Sequence, residues 1–198
     1  MLNDGVAPGS LWDAVVLSGS EHMIRSPGIV AIHATTAANS LHYIFHASGD
    51  DLTRRLALLQ AVGWQPLYRD RLKSAHPVEI DAMKHDDAVS HGDEVVGEIF
   101  TTINQDRAQA AAKTMAYLAG GGSAEHVFDA ARRMIFHKGT DSHDYKYGAA
   151  IWEESRLVSE PRWNAPLVAA AMFNLPGAKT GDSPLMIRAR EAVAKVMG

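Results

Sequence analysis

Residues Gly28–His46 read GIVAIHATTAANSLHYIFH. Nothing in this stretch alternates between apolar and polar as a half-buried strand would. At about 100° per residue, Val30, Ala34, Ala37, Leu41 and Ile44 fall on one apolar stripe. The spacing predicts a helix from about Gly28 to His46, with Pro27 at its start. The same period recurs outward in both directions. Ser10 and Asp13 read as a capping box opening a first helix at LWDAVVLSGSEHMI. Asp50 or Asp51 caps LTRRLALLQAVGWQPLYRDRL, which Pro66 is expected to kink or divide. Further helices are predicted over about 94–105, 107–119, 124–138, 143–159 and 165–175, with a last one from Pro184. The triple glycine at 120–122 ends one helix, and Ser123 caps the next. A mixed, charged region follows Pro77. No internal repeat and no convincing strand emerges, so the expected fold is all-α: one domain over residues 1–198, a bundle or orthogonal array of eight or nine helices.

Composition narrows the function classes. The 198 residues are 46% hydrophobic, enough for one sizeable core, and carry a net charge of −4 with histidine neutral. No basic stripe stands out, which disfavours nucleic acid as a partner. With no cysteine, disulfides, thiolate zinc cages and a cysteine nucleophile are excluded. No apolar run approaches the roughly 20 residues of a membrane span. The N-terminus lacks the basic start and apolar run of a secretion signal. A soluble, cytoplasmic protein is expected. Gly177–Thr180, GAKT, ends like a phosphate loop, but Phe173 stands where the loop needs glycine. Ten histidines are the one compositional hint of metal or acid–base chemistry.

Three of those histidines lie in the opening stretch. His33 flanks the apolar stripe and is either a satisfied core histidine or a ligand or base. Thr35, Asn39, His42 and His46 share the opposite face. That face either meets solvent or presents His42 and His46, one turn apart, as a chelating pair. His33–Trp64, HATTAANSLHYIFHASGDDLTRRLALLQAVGW, resembles the first half of the HD-domain metal phosphohydrolases. The resemblance implies a metal-binding His-Asp dyad after the aliphatic run. Gln60-Ala61 stands there instead, so the resemblance does not carry the activity.

The second dense stretch is Phe136–Gly148, FHKGTDSHDYKYG. Helix grammar explains part of it. His137 and Lys138 suit a helix C-terminus, Gly139 suits a left-handed position after it, and Asp141 and Asp144 suit the start of the next helix. On that next helix Tyr147, Ala150, Ile151 and Val158 form the apolar stripe, and His143 and Glu154 fall on it. A buried carboxylate needs a partner. An internal ion pair to Arg132 or Arg133 is one solution; an imidazole or a metal ion is another. Trp152, Trp163, Asn164, Phe173 and Asn174 are either ordinary core or the lining of a polar pocket.

The functional expectation is an enzyme, oxidoreductase or hydrolase, acting on a small molecule at a buried histidine–carboxylate site. His143, Glu154 and Tyr147 are the candidate catalytic residues. His33, His143, Glu154, His137 and Asp144 are the candidate ligands for a divalent transition metal, iron, zinc or manganese. The alternative is a non-catalytic helical interaction or regulatory module that associates with a partner or with itself as a homo-oligomer.

Overall fold

The computed structural model describes residues 5–72, 78–85 and 92–197, and among them the regular structure is entirely helical. The α-helices are α1 (Pro8–Arg25), α2 (Ile29–Ala47), α3 (Asp51–Arg69), α4 (Asp93–Thr102), α5 (Arg107–Ala119), α6 (Ala124–Lys138), α7 (Ser142–Leu157), α8 (Asn164–Ala170) and α9 (Pro184–Met197). Short 3₁₀ turns at Ile80–Ala82, Pro161–Trp163 and Ala171–Phe173 complete them. The all-α expectation holds. Asp86 and His91, in the mixed region after Pro77, lie outside the described residues.

α1, α2 and α3 pack on one another as one group. α4, α5, α6, α7 and α8 form the other, and α2 on α7 with α1 on α8 join the two. The main core draws on α1, α2 and α4 through α8. At its centre Leu167–Ala170 are fully buried; a helix apolar on every side has nowhere else to go. A smaller cluster of Trp12, Val15, Ala38, Leu58 and Ala61 seals α1 to α2 and α3. Close approach comes from small residues. A Cβ on Gly19 would sit 3.2 Å from the Thr35 Cα, so α1 and α2 nearly touch backbone to backbone.

Several local expectations change. Ser10 and Asp13 form no capping box: α1 begins at Pro8 without a side-chain cap. Asp13 Oδ1 accepts instead from the Ser159 N–H at 2.9 Å, and Oδ2 from the Ser159 hydroxyl at 2.6 Å and the Glu160 N–H at 3.1 Å. It ties the start of α1 to the exit of α7. Asp50 does cap α3, accepting from the Thr53 N–H at 2.7 Å. Pro66 does not divide α3, which continues to Arg69. The proline removes one hydrogen bond in the closing turn, where the carbonyl it leaves, that of the exposed Val62, can meet water. Gly139 has φ −63°, not a left-handed conformation. Glycine fits there because a Cβ would lie 2.6 Å from the Ile135 carbonyl oxygen.

α3 also turns an unexpected side outward. Ala57, Leu58, Ala61 and Gln65 are its buried residues, while Leu52, Leu56, Leu59 and Leu67 are all more than half exposed.

Candidate functional site

α2 and α7 run parallel, because His33 meets His143 near their starts and His42 meets Glu154 near their ends. Two separate polar groups result. The six candidate residues are not gathered into one place.

The buried group is at the far end. Glu154 is 2% exposed, as its place on the Tyr147–Ile151 stripe implies. Neither arginine is its partner: Arg132 bonds Glu125 and Asp129 on its own helix. Glu154 Oε2 lies 2.7 Å from His42 Nδ1, and Oε1 accepts from Asn39 Nδ2 at 3.0 Å. The same Asn39 amide donates to Glu153 Oε2 at 3.0 Å. His42 is 4% exposed and does not face solvent. Its ring stacks on Trp12, centroids 4.3 Å apart and planes 16° from parallel. Its Nε2 lies 3.0 Å from Nε2 of His46, an exposed residue. A chain of hydrogen bonds thus runs from a buried carboxylate through one imidazole to a second at the surface.

With both rings neutral and Glu154 ionised, this geometry fits one pair of tautomers. Glu154 as a carboxylate only accepts, so His42 carries its proton on Nδ1 and keeps the Nε2 lone pair. That lone pair must accept from His46, so His46 carries its proton on Nε2 and leaves Nδ1 bare. A proton taken up at His46 Nδ1 can be passed from His46 Nε2 to His42 Nε2. The positive charge then rests beside Glu154. His46 has its pKa lowered, first by partial loss of water and next by the neighbouring His42 ring. It is therefore neutral, and a base, at neutral pH.

The void beside the inner members, bounded by Trp12, Asp13, His42, Glu154 and Trp163 among others, measures about 10 Å³. That is about one water and admits no larger molecule; the end of the chain open to solvent is His46. Asn164 also holds this corner, donating to the Ser155 carbonyl oxygen at 2.6 Å.

The second group lies at the start of α7. His33 is exposed and His143 half-exposed; their rings meet edge to face, centroids 5.4 Å apart. Asp141 caps α7 through the His143 N–H at 2.7 Å and reaches His143 Nδ1 at 3.3 Å. Asp144 Oδ2 accepts from the Thr140 N–H at 2.9 Å. His137 is elsewhere, its Nδ1 accepting from Arg190 of α9 at 3.1 Å. The Tyr147 hydroxyl is fully enclosed with no partner among the described residues, and burial raises its pKa. Among the described residues no three His, Asp or Glu side chains gather into a group that could hold a metal ion. No described helix is long and apolar enough to cross a membrane.

Set against protein-family models, curated proteins and solved structures, the chain finds no match in any of the three.

The sequence placed Asn39, His42 and His46 on one face, which is correct. Their partner was not legible, because Glu154 is 112 residues away. Trp12 gave no signal at all.

Proposed function

We propose that this protein is an enzyme in which His46 is the general base toward a small molecule, with His42 and Glu154 as the relay behind it. The observation that carries the reading is the chain Glu154–His42–His46, with hydrogen-bond distances of 2.7 Å and 3.0 Å, buried at one end and open at the other. A carboxylate that orients an imidazole and stabilises its protonated form is a recurrent device for proton removal. Here it acts one imidazole further out. Trp12 and Asn39 hold the relay in register. Hydrolysis and oxidation both suit a base so placed, since each can begin with removal of a proton from water or from the substrate.

The test is a screen of activated esters and enolisable carbonyl compounds with wild type, His46→Ala and Glu154→Gln. The reading expects turnover that falls ~100-fold in His46→Ala, a usual size for general-base catalysis. Turnover equal in wild type and His46→Ala contradicts it.

A second reading, a self-associating module, is favoured by the outward leucines of α3. In one antiparallel register, Leu52 of one copy opposes Leu67 of the other, and Leu56 opposes Gly63. A Cβ at Gly63 would meet nothing within 4 Å, so that position is an open hole for a leucine. Apolar patches of this kind usually mark contact surfaces. Light scattering after size exclusion tests it: a dimer in wild type that becomes a monomer in Leu56→Lys supports the module, and a wild-type monomer contradicts it.

A further inference from the structure

The pair His33–His143 stands about 13 Å along α2 from the relay, nine residues at 1.5 Å each, and acid–base chemistry at His46 makes no use of it. We propose that His33 and His143 hold a divalent transition metal ion of the zinc class, with solvent in the remaining positions and a small oxyanion as the ligand that shares it.

Three observations support this. The two rings come from different helices and already meet, with centroids 5.4 Å apart. Zn–N bonds of about 2.0–2.1 Å require one nitrogen of each ring to turn toward a common point. Asp141 Oδ1 lies 3.3 Å from His143 Nδ1. A carboxylate on one nitrogen leaves the lone pair on the other, the arrangement by which metal-binding histidines are oriented. The His33 side chain is exposed, and its ring nitrogens have no hydrogen bond among the described residues.

The ligand class follows from the surroundings. A cavity of about 290 Å³ opens beside His33, bordered by Ile29, Val30, Tyr68 and Arg71. A cation on His33 and the Arg71 guanidinium facing one cavity favour an anion, and the tyrosine offers a further donor. Imidazole donors without thiolate suit zinc, nickel, copper or iron(II) over calcium or magnesium. Two protein ligands leave the remaining coordination positions to solvent and to the oxyanion.

The experiment is titration of EDTA-treated protein with Co²⁺, followed by visible absorption. Wild type is expected to develop bands at one equivalent. His33→Ala and His143→Ala should each weaken binding more than ~10-fold, and Asp141→Asn by ~10-fold, the usual size of an orienting partner. His46→Ala should bind as wild type does. All four side chains are at least partly exposed, so folding, checked by circular dichroism, should survive. No bands in wild type, binding indifferent to both histidine substitutions (an adventitious ion only), or binding lost in His46→Ala instead would each overturn the metal site. Acetate added to the Co²⁺ protein is expected to alter the bands, at ~10-fold higher concentration in Arg71→Ala. Bands unmoved by acetate would overturn the oxyanion assignment.

Discussion

Nδ1 of His42 lies 2.7 Å from Oε2 of Glu154, both side chains are at most 5% exposed, and this pair fastens α2 to α7. A buried pair of this kind is weak evidence of net stabilisation, but breaking it from one side leaves a buried polar group without its partner. Glu154→Ala is therefore expected to lower unfolding free energy by about 3 kcal/mol. Glu154→Gln keeps an acceptor for His42 and should lose only about 1 kcal/mol. Urea unfolding of both variants checks the order; equal losses would mean that the hydrogen bond to His42 contributes nothing.

Asp13 makes three hydrogen bonds to Ser159 and Glu160. Among the described residues no other side chain accepts from those two backbone N–H groups. Asp13→Ala should destabilise by about 2–3 kcal/mol, as expected when charge-assisted bonds to partly buried groups are lost. Thermal unfolding measures it. Asp13→Asn, which keeps one acceptor oxygen, should fall between.

Two glycines separate backbone contact from side-chain contact. At Gly19 a Cβ would press on the Thr35 backbone at 3.2–3.3 Å, while at Gly148 it would meet only the terminal Cδ1 of Ile135, at 2.6 Å. Alanine gains about 1 kcal/mol of helix propensity at either site. A side-chain tip can swing away, but a helix backbone moves only with the whole helix. Gly148→Ala should lie within about 1 kcal/mol of wild type, and Gly19→Ala should be destabilised by about 1 kcal/mol or more. Chemical denaturation of the two variants tests the ranking.

Acid should destabilise the fold. The pKa of His22 is lowered from the ordinary 6.5, foremost by burial, with Glu21, Arg25 and Arg69 around it and the Gln65 carbonyl 3.2 Å from Nε2. His46 is lowered too, with His42, Glu154 and Arg54 around it. The folded state holds both rings neutral where the unfolded chain takes up protons. The unfolded state therefore binds more protons just below 6.5, and stability rises with pH there. The contribution is complete above 6.5 and is lost as pH falls below it. Urea midpoints at about pH 8 and pH 5.5 should show the drop, with a smaller one in His46→Ala. A midpoint that rises on acidification would contradict both assignments.

Much of the helical framework was legible because its breaks are chemical. The glycine run at 120–122 and the aspartate before α7 leave little freedom, and α5 and α6 fall on their expected spans. Which way a helix faces was legible only where one side is buried. On α7 the Tyr147–Ile151 stripe pointed Glu154 inward, as observed, but His143, placed on the same stripe, is partly exposed at the start of the helix. α2 packs against α1, α3 and α7 at once, so reading one apolar stripe failed: Ile44 is exposed while Thr35, Thr36 and His42 are buried. On α3, Ala57, Leu58 and Ala61 face inward while four other leucines face out, so leucine content alone did not mark the buried side. The pairing of Glu154 with His42 depends on how two distant helices cross, and no local pattern encodes that.

The relay itself is tested most directly by long-range ¹H–¹⁵N correlation spectra of protein labelled at histidine, recorded at about pH 8, where neutral imidazoles are expected. The account predicts one imidazole with its proton on Nδ1 and a bare Nε2, assigned to His42 by its loss in His42→Ala. It predicts the opposite tautomer for His46, and loss of the Nδ1–H preference at His42 in Glu154→Ala. A His42 protonated on Nε2 alone, or a tautomer unchanged by Glu154→Ala, would contradict it.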